Sequence, residues 1–116
     1  SATLEGHVTL VNLWASWCPI CRLEEGTVGA LAQDWPLLTI AMQSGDAPAV
    51  ARFMAQRGIA YPTLIDEHGT LAAQLGVRSV PAWFIVDSAN RIRFAGSGYS
   101  SGWGLRLRLW WAGAWA

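Results

Sequence analysis

Two rhythms of apolar and polar positions run through this chain. Residues 8–14 (VTLVNLW) are nearly all apolar and β-branched at the start, after a turn-prone Glu5-Gly6. They predict a buried strand. From Pro19 the rhythm changes: Ile20, Leu23, Val28 and Leu31 recur at helical spacing and predict a helix with these four side chains inward. Pro19 suits its first turn, Gly26 and Gly29 weaken and kink it, and Pro36 closes it. Residues 37–42 predict a second strand. Asp46 is placed to cap a helix over 48–57, with Val50, Phe53 and Met54 inward and Gly58 as the stop. Residues 61–66 predict a strand, 67–69 a turn, and 70–75 a short helix ending at Gly76. Residues 82–87 and 91–95 read as a hairpin around a tight turn at 88–90.

The stretch 101–112 fits two rhythms. "LRLRL" alternates like a strand, while Trp103, Leu107, Trp110 and Trp111 share a helix face. A helix is the expectation, because a helix after a hairpin completes a layered α/β core. The predicted order is β-α-β-α-β-α-β-β-α.

Composition narrows the classes. At 116 residues the expectation is one domain over 1–116. Hydrophobic residues make up 53% and charged residues 14%, which excludes a disordered chain. Formal net charge is +0, so no basic surplus or nucleic-acid motif argues for a nucleic-acid partner. Every strong cation is Arg; the chain has no Lys. No segment reaches the roughly 18 uncharged apolar residues of a membrane span.

Both cysteines lie in "WASWCPICRLEEG". Cys18 opens the first predicted helix, where unpaired N–H groups and the helix dipole favour a thiolate. Cys21 is one turn on, within disulfide reach. A Cys-x-x-Cys pair between strand and helix reads as a redox dithiol, with Cys18 the nucleophile and Cys21 the resolving thiol. Three other readings are weaker. A structural disulfide closing so short a loop adds little stability. A zinc site needs four ligands, and His7 and His68 sit in predicted turns without ligand spacing. Copper(I) held by the two thiolates is the alternative function, since soft sulfur suits that ion.

The residues resemble a known family. "LVNLWASWCPICRLEE" and "GVRSVPAWFIVD" are similar to the two signatures of the thioredoxin superfamily, the dithiol and the cis-proline loop. Asn12, Glu24 three residues after Cys21, and the helix and strand between Asp46 and Asp66 resemble the TlpA/ResA/CcmG-like group. The CPIC motif and the closing "GWGLRLRLW" resemble that group's copper-tolerance branch. Gly26 departs from the group, which often has Pro there, and the group's N-terminal β-hairpin has no counterpart here.

The resemblance implies a thioredoxin fold: an α/β structure whose central mixed β-sheet is flanked by helices, with a TlpA-like helix-strand insertion. It implies a thiol-disulfide oxidoreductase acting as a reductase in the bacterial periplasm, without a bound cofactor and with no metal site. Implied partners are cysteine-containing protein substrates and a membrane reductant conductor of the DsbD type. A membrane tether upstream of Ser1 and a monomeric state are further expectations. Cys18, Cys21 and Glu24 form the implied catalytic set, with Trp17, Val80 and Pro81 against the substrate. The residues alone leave two points open. Glu24 is either a buried acid relaying protons to Cys21 or an exposed first-turn Glu. Pro81 is either cis or an ordinary strand-starting proline. Glu25 is expected to be exposed, Trp14 to be core, and Trp83 to face either way.

Overall fold

The computed structural model describes residues 8–89, 91–97, and Gly104, Leu105, Leu107, Arg108, Trp110 and Trp111. The expectations for Glu5, Gly6, His7, Asn90 and Trp103 lie outside the described residues. Eight elements follow in order: β1 (Thr9–Trp14), α1 (Pro19–Asp34), β2 (Leu37–Met42), α2 (Ala47–Arg57), β3 (Thr63–Asp66), α3 (Thr70–Gln74), β4 (Ala82–Val86) and β5 (Ile92–Ser97). The six described positions from 104 to 111 are helical. This is the predicted order, and through β5 the boundaries move by up to two residues. Among the described residues no helix is long and apolar enough to cross a membrane.

The sheet has the order β3-β2-β1-β4-β5. β1 runs parallel to β2 and antiparallel to β4, β2 is parallel to β3, and β4 and β5 form the antiparallel hairpin. β1 is central in the sheet and buried on both faces, which is why it reads as a continuous apolar run. Leu10 joins Trp83, Ile85, Leu105 and the α1 residues Val28 and Leu31 on one face. Leu13 joins Ile40, Met42, Ala82 and the α3 residue Ala72 on the other. Each Leu or Ile so buried contributes about 1.5–3 kcal/mol.

The helix ends obey local chemistry. Pro19 occupies the first turn of α1, and the Trp35 N–H donates to the Leu31 carbonyl at its close (2.9 Å), just before Pro36. Asp46 caps α2 by accepting the Ala49 N–H (3.0 Å), and Gly58 ends α2 in the left-handed region (φ 67°). Asp66 accepts the N–H groups of Leu71 and Ala72 (3.0 and 2.9 Å), fixing the start of α3 from the end of β3.

One expectation fails in α1. Its core face is Cys21, Glu24, Val28 and Leu31. Ile20 and Leu23 point outward, 42% and 76% exposed. The helix is rotated by about one residue from the apolar count, so that a thiol and a carboxyl face the sheet. On α2, Val50 is buried, and Phe53 and Met54 are partly buried against the cluster that holds both cysteines.

Candidate active site

Strand β1 ends at Trp14, and a short turn leads from it to Cys18 at the mouth of α1. Cys18 is the N-cap of α1, in extended backbone conformation. Its Sγ accepts the Cys21 N–H at 3.2 Å, and its thiol donates to the Val80 carbonyl at 3.6 Å. The sulfur therefore meets a helix-terminal N–H on one side and the Val80 loop on the other. Both cysteines are free thiols and both are buried. Burial pushes the Cys21 thiol far above its ordinary range. The contact with Cys18 and the negative charge of nearby Glu24 add to the rise.

Glu24 is 4% exposed, on the same helix face as Cys21. Of the two sequence readings, the buried one describes it. Glu25 corrects its expectation: it is not simply solvated but half-buried, and the Arg57 Nε donates to both its carboxylate oxygens (2.6 and 2.8 Å). Arg57 lies 32 residues away, on the last turn of α2.

The Val80–Pro81 peptide bond is cis, as the resemblance implies. Pro81 is buried and Val80 packs partly against the cysteine cluster. Asn12 is buried, and its side-chain amide donates to the Ala82 carbonyl (3.3 Å), tying β1 to the strand that follows this loop.

Three tryptophans surround the site differently. Trp14 is core, as expected: its indole N–H donates to Thr39 Oγ1 (3.1 Å), and its ring stacks on Phe53 at 5.5 Å between centroids. Trp83 is buried on the α1 face of the sheet, with the Arg108 guanidinium 5.0 Å from its ring centroid. Trp17 is 55% exposed beside Cys18, and its indole N–H donates to the Gln43 carbonyl (3.0 Å).

The site thus gathers Trp17, Cys18, Cys21, Glu24, Val80 and Pro81 from three parts of the chain. Sequence reasoning missed Gln43, whose role is made by its backbone and carries no motif. An open groove of about 760 Å³, lined by Glu25, Gly26, Gly29, Arg57, Tyr61 and Pro62, lies on another side of α1 and includes neither cysteine. Within it, burial first and Glu25 second push the Tyr61 phenol up to about 12. His68 is exposed, and among the described residues no three His, Cys, Asp or Glu groups cluster as metal ligands do.

Known proteins are similar to this chain in sequence and in fold. A DsbE-homologous thiol:disulfide interchange protein from Paracoccus denitrificans is 36% identical over 86 residues, covering 73% of this chain and 48% of the relative. The thiol:disulfide interchange protein HelX of Rhodobacter capsulatus is 38% identical over 96 residues, covering 79% and 54%. The chain therefore spans about half the length of these curated relatives. Among solved structures, DsbF from MTB superposes with a TM-score of 0.83 at 26% identity, covering 96% of this chain and 84% of that one. A thioredoxin-family thiol:disulfide interchange protein from Chlorobium tepidum gives 0.82 at 25% identity, covering 97% and 83%. The fold is accordingly the mixed-sheet thioredoxin fold. The Redoxin family pattern matches residues 1–102, so all five strands of the sheet and the whole dithiol region fall within it, and the chain belongs to the redoxin family.

Proposed function

We propose that this protein exchanges disulfides with cysteine-containing protein partners through Cys18 and Cys21, acting as a reductase. The observation that carries this is the position of the Cys18 sulfur at the α1 N-cap, within hydrogen-bond reach of the Cys21 N–H and the Val80 carbonyl.

In the reducing direction, the Cys18 sulfur attacks one sulfur of a partner disulfide. That disulfide breaks, a Cys18–partner bond forms, and the partner's other sulfur leaves and takes up the proton that the Cys18 thiol gives up. Cys21 then gives its proton to Glu24 and attacks the Cys18 sulfur. The Cys18–Cys21 bond forms as the Cys18–partner bond breaks, and the partner's second sulfur leaves and takes up the proton from Glu24. Two electrons have moved to the partner, and the protein is left oxidised. A raised Cys21 fits this order, because the resolving thiol stays protonated until Glu24 takes its proton. The backbone of Val80, held by Pro81, pairs with the extended segment around the partner cysteine, and Trp17 offers an apolar contact beside it.

We further propose a bacterial extracytoplasmic location, reduction by a membrane conductor of the DsbD type, and a single-domain monomer. The group resemblance supports the location and the conductor, and the length of 116 residues supports a single domain. No bound cofactor enters the chemistry.

The test is trapping. Cys21→Ser should accumulate a mixed disulfide between Cys18 and a cysteine-containing peptide, seen by mass spectrometry. The Cys18–Cys21 potential, measured against glutathione, should lie near or below about −220 mV for a reductase. A value near about −120 mV would reverse the direction. No mixed disulfide, with tight one-to-one Cu(I) binding instead, would overturn exchange in favour of the copper alternative.

A further inference from the structure

We propose that Gln43 is a positioning residue: its left-handed backbone fixes Trp17 as a rigid apolar platform beside Cys18, selecting partners with an apolar side chain next to their reactive cysteine. The docking half of this inference rests on the proposed exchange function.

Among the described residues Gln43 is the only non-glycine at positive φ (50°). Such a conformation costs about 1–3 kcal/mol and persists only where the surroundings enforce it. The surroundings here are specific. The Gln43 N–H donates to the Asp66 carbonyl (2.8 Å). Its side chain lies against Gly69, where a Cβ would come within 3.2 Å of it. Held this way, the Gln43 carbonyl accepts the Trp17 indole N–H at 3.0 Å. The next residue repeats the tie: Ser44 Oγ accepts the Ser16 N–H (2.9 Å) and donates to the Met42 carbonyl (3.1 Å). Both residues directly ahead of Cys18 are therefore fastened to one turn.

This clasp does not bury the ring, for Trp17 stays 55% exposed. Fixing a half-exposed tryptophan gains the fold little, since most of its apolar area remains in water. It gains much for docking. A ring already held loses no rotamer freedom when a partner covers it, so more of the contact energy appears as affinity. Ile20 and Leu23 are exposed on the same end of α1, and Arg22 between them turns back to donate to the Ser16 carbonyl (2.9 Å), a further tie on the segment that carries Trp17. Continuity with the Val80 loop sets the occupant: an extended partner segment pairing at Val80 and laying its cysteine on Cys18 would place a neighbouring side chain on Trp17.

The experiment compares Gln43→Val with Gln43→Asn. A β-branched residue resists the left-handed region and turns the carbonyl away, whereas Asn tolerates it. Each protein reduces two disulfide peptides that differ only in Leu or Ser beside the cysteine. For the Leu peptide, Gln43→Val should raise KM about fivefold with kcat changed less than about twofold, and Gln43→Asn should keep KM within about twofold. The Trp17 indole ¹H–¹⁵N signal, assigned by its loss in Trp17→Phe, should lose its rigid-limit heteronuclear NOE in Gln43→Val and keep it in Gln43→Asn. Should Gln43→Val fail to fold, Trp17→Phe, which keeps a ring but deletes the N–H, should still raise KM for the Leu peptide about threefold. Equal behaviour of Val and Asn variants, or an unchanged KM in Trp17→Phe, would overturn the positioning role alone. Failure of the wild-type protein to reduce either peptide would overturn the exchange function and the docking role with it.

Discussion

The two ends of β4 are built to different rules. Just beyond its last residue, Asp87 is buried and both its oxygens are taken: Oδ1 accepts the N–H groups of Ala89 and Arg91 (2.9 Å each), and Oδ2 accepts Arg93 Nε (2.6 Å). The Arg91 N–H leads the interactions that hold this carboxyl below the usual carboxylate range. Just before its first residue lies the dithiol end. There Trp17, Ile20 and Leu23 face water, Gln43 is held in a strained backbone, and a buried Glu24 faces inward beside Cys21. One end closes its polar groups to fix the hairpin. The other keeps reactive and apolar groups presented, which is what a site on a rigid scaffold requires. Changes at the dithiol end should therefore cost activity first, and changes at the Asp87 end stability first.

The largest effect tests the first half of that division. Cys18→Ser should slow peptide disulfide reduction at least about a thousandfold, because the remaining thiol, Cys21, is buried and held protonated. Its melting temperature should move by less than about 5 °C. Unfolding of this variant would break the comparison. Gly96→Ala sharpens it, since a packed layer lies directly behind the site. A Cβ at 96 would stand 2.5 Å from Trp83 Cζ2 and 2.8 Å from Cε2, and that indole is buried. Denaturant unfolding should show a loss of about 2–3 kcal/mol. A neutral result would mean that Trp83 is free to move.

Asp87→Asn probes the other end. The melting temperature should fall by about 5 °C, with the exchange rate within about twofold of wild type. The sign with pH follows from the lowered carboxyl. Its contribution is present above the ordinary value of 3.8 and is lost as pH falls through the lower folded value. Wild type should lose its advantage over the Asp87→Asn variant only in acid, and an advantage undiminished as pH falls below 3.8 would remove the charge from the explanation. Cys21 has the opposite sign. Its folded value is raised, so its contribution is complete below the ordinary 9.0 and declines as pH rises above it. Reduced wild type should lose up to about 1.4 kcal/mol per pH unit relative to reduced Cys21→Ser above about pH 9. Parallel pH curves for the two proteins would show that Cys21 ionises as readily folded as unfolded.

The sequence exposed these features unevenly. Element ends were legible where single residues dictate them: Pro19, Asp46 and Gly58 stand where the helices start and stop. The dithiol was legible because Cys-x-x-Cys between strand and helix has few other uses. The inward face of α1 was not, because an apolar count cannot register a thiol and a carboxyl placed inward while Ile20 and Leu23 are left outside. The reading failed where the site overrides the core pattern. Glu25 was misjudged because its partner is distant in sequence. Gln43 was invisible because its contribution is a backbone carbonyl set by a left-handed conformation, which no motif announces.

The smallest effect locates the border between the two regimes, and it lies within α1. The first turns of this helix carry the dithiol, and its later turns pack Val28 and Leu31 into the core. Gly29 lies in those later turns, between Val28 and Leu31, and a Cβ there would meet nothing within 4 Å. Glycine inside a helix gives the unfolded chain extra freedom without any compensating contact here. Gly29→Ala should therefore stabilise the protein by about 0.5–1 kcal/mol, read from denaturant midpoints. Exchange kinetics should not change if the site ends above this point. A stabilised but slower protein would place Gly29 inside the functional region, with flexibility of mid-α1 serving the turnover of the dithiol rather than merely being tolerated by the fold.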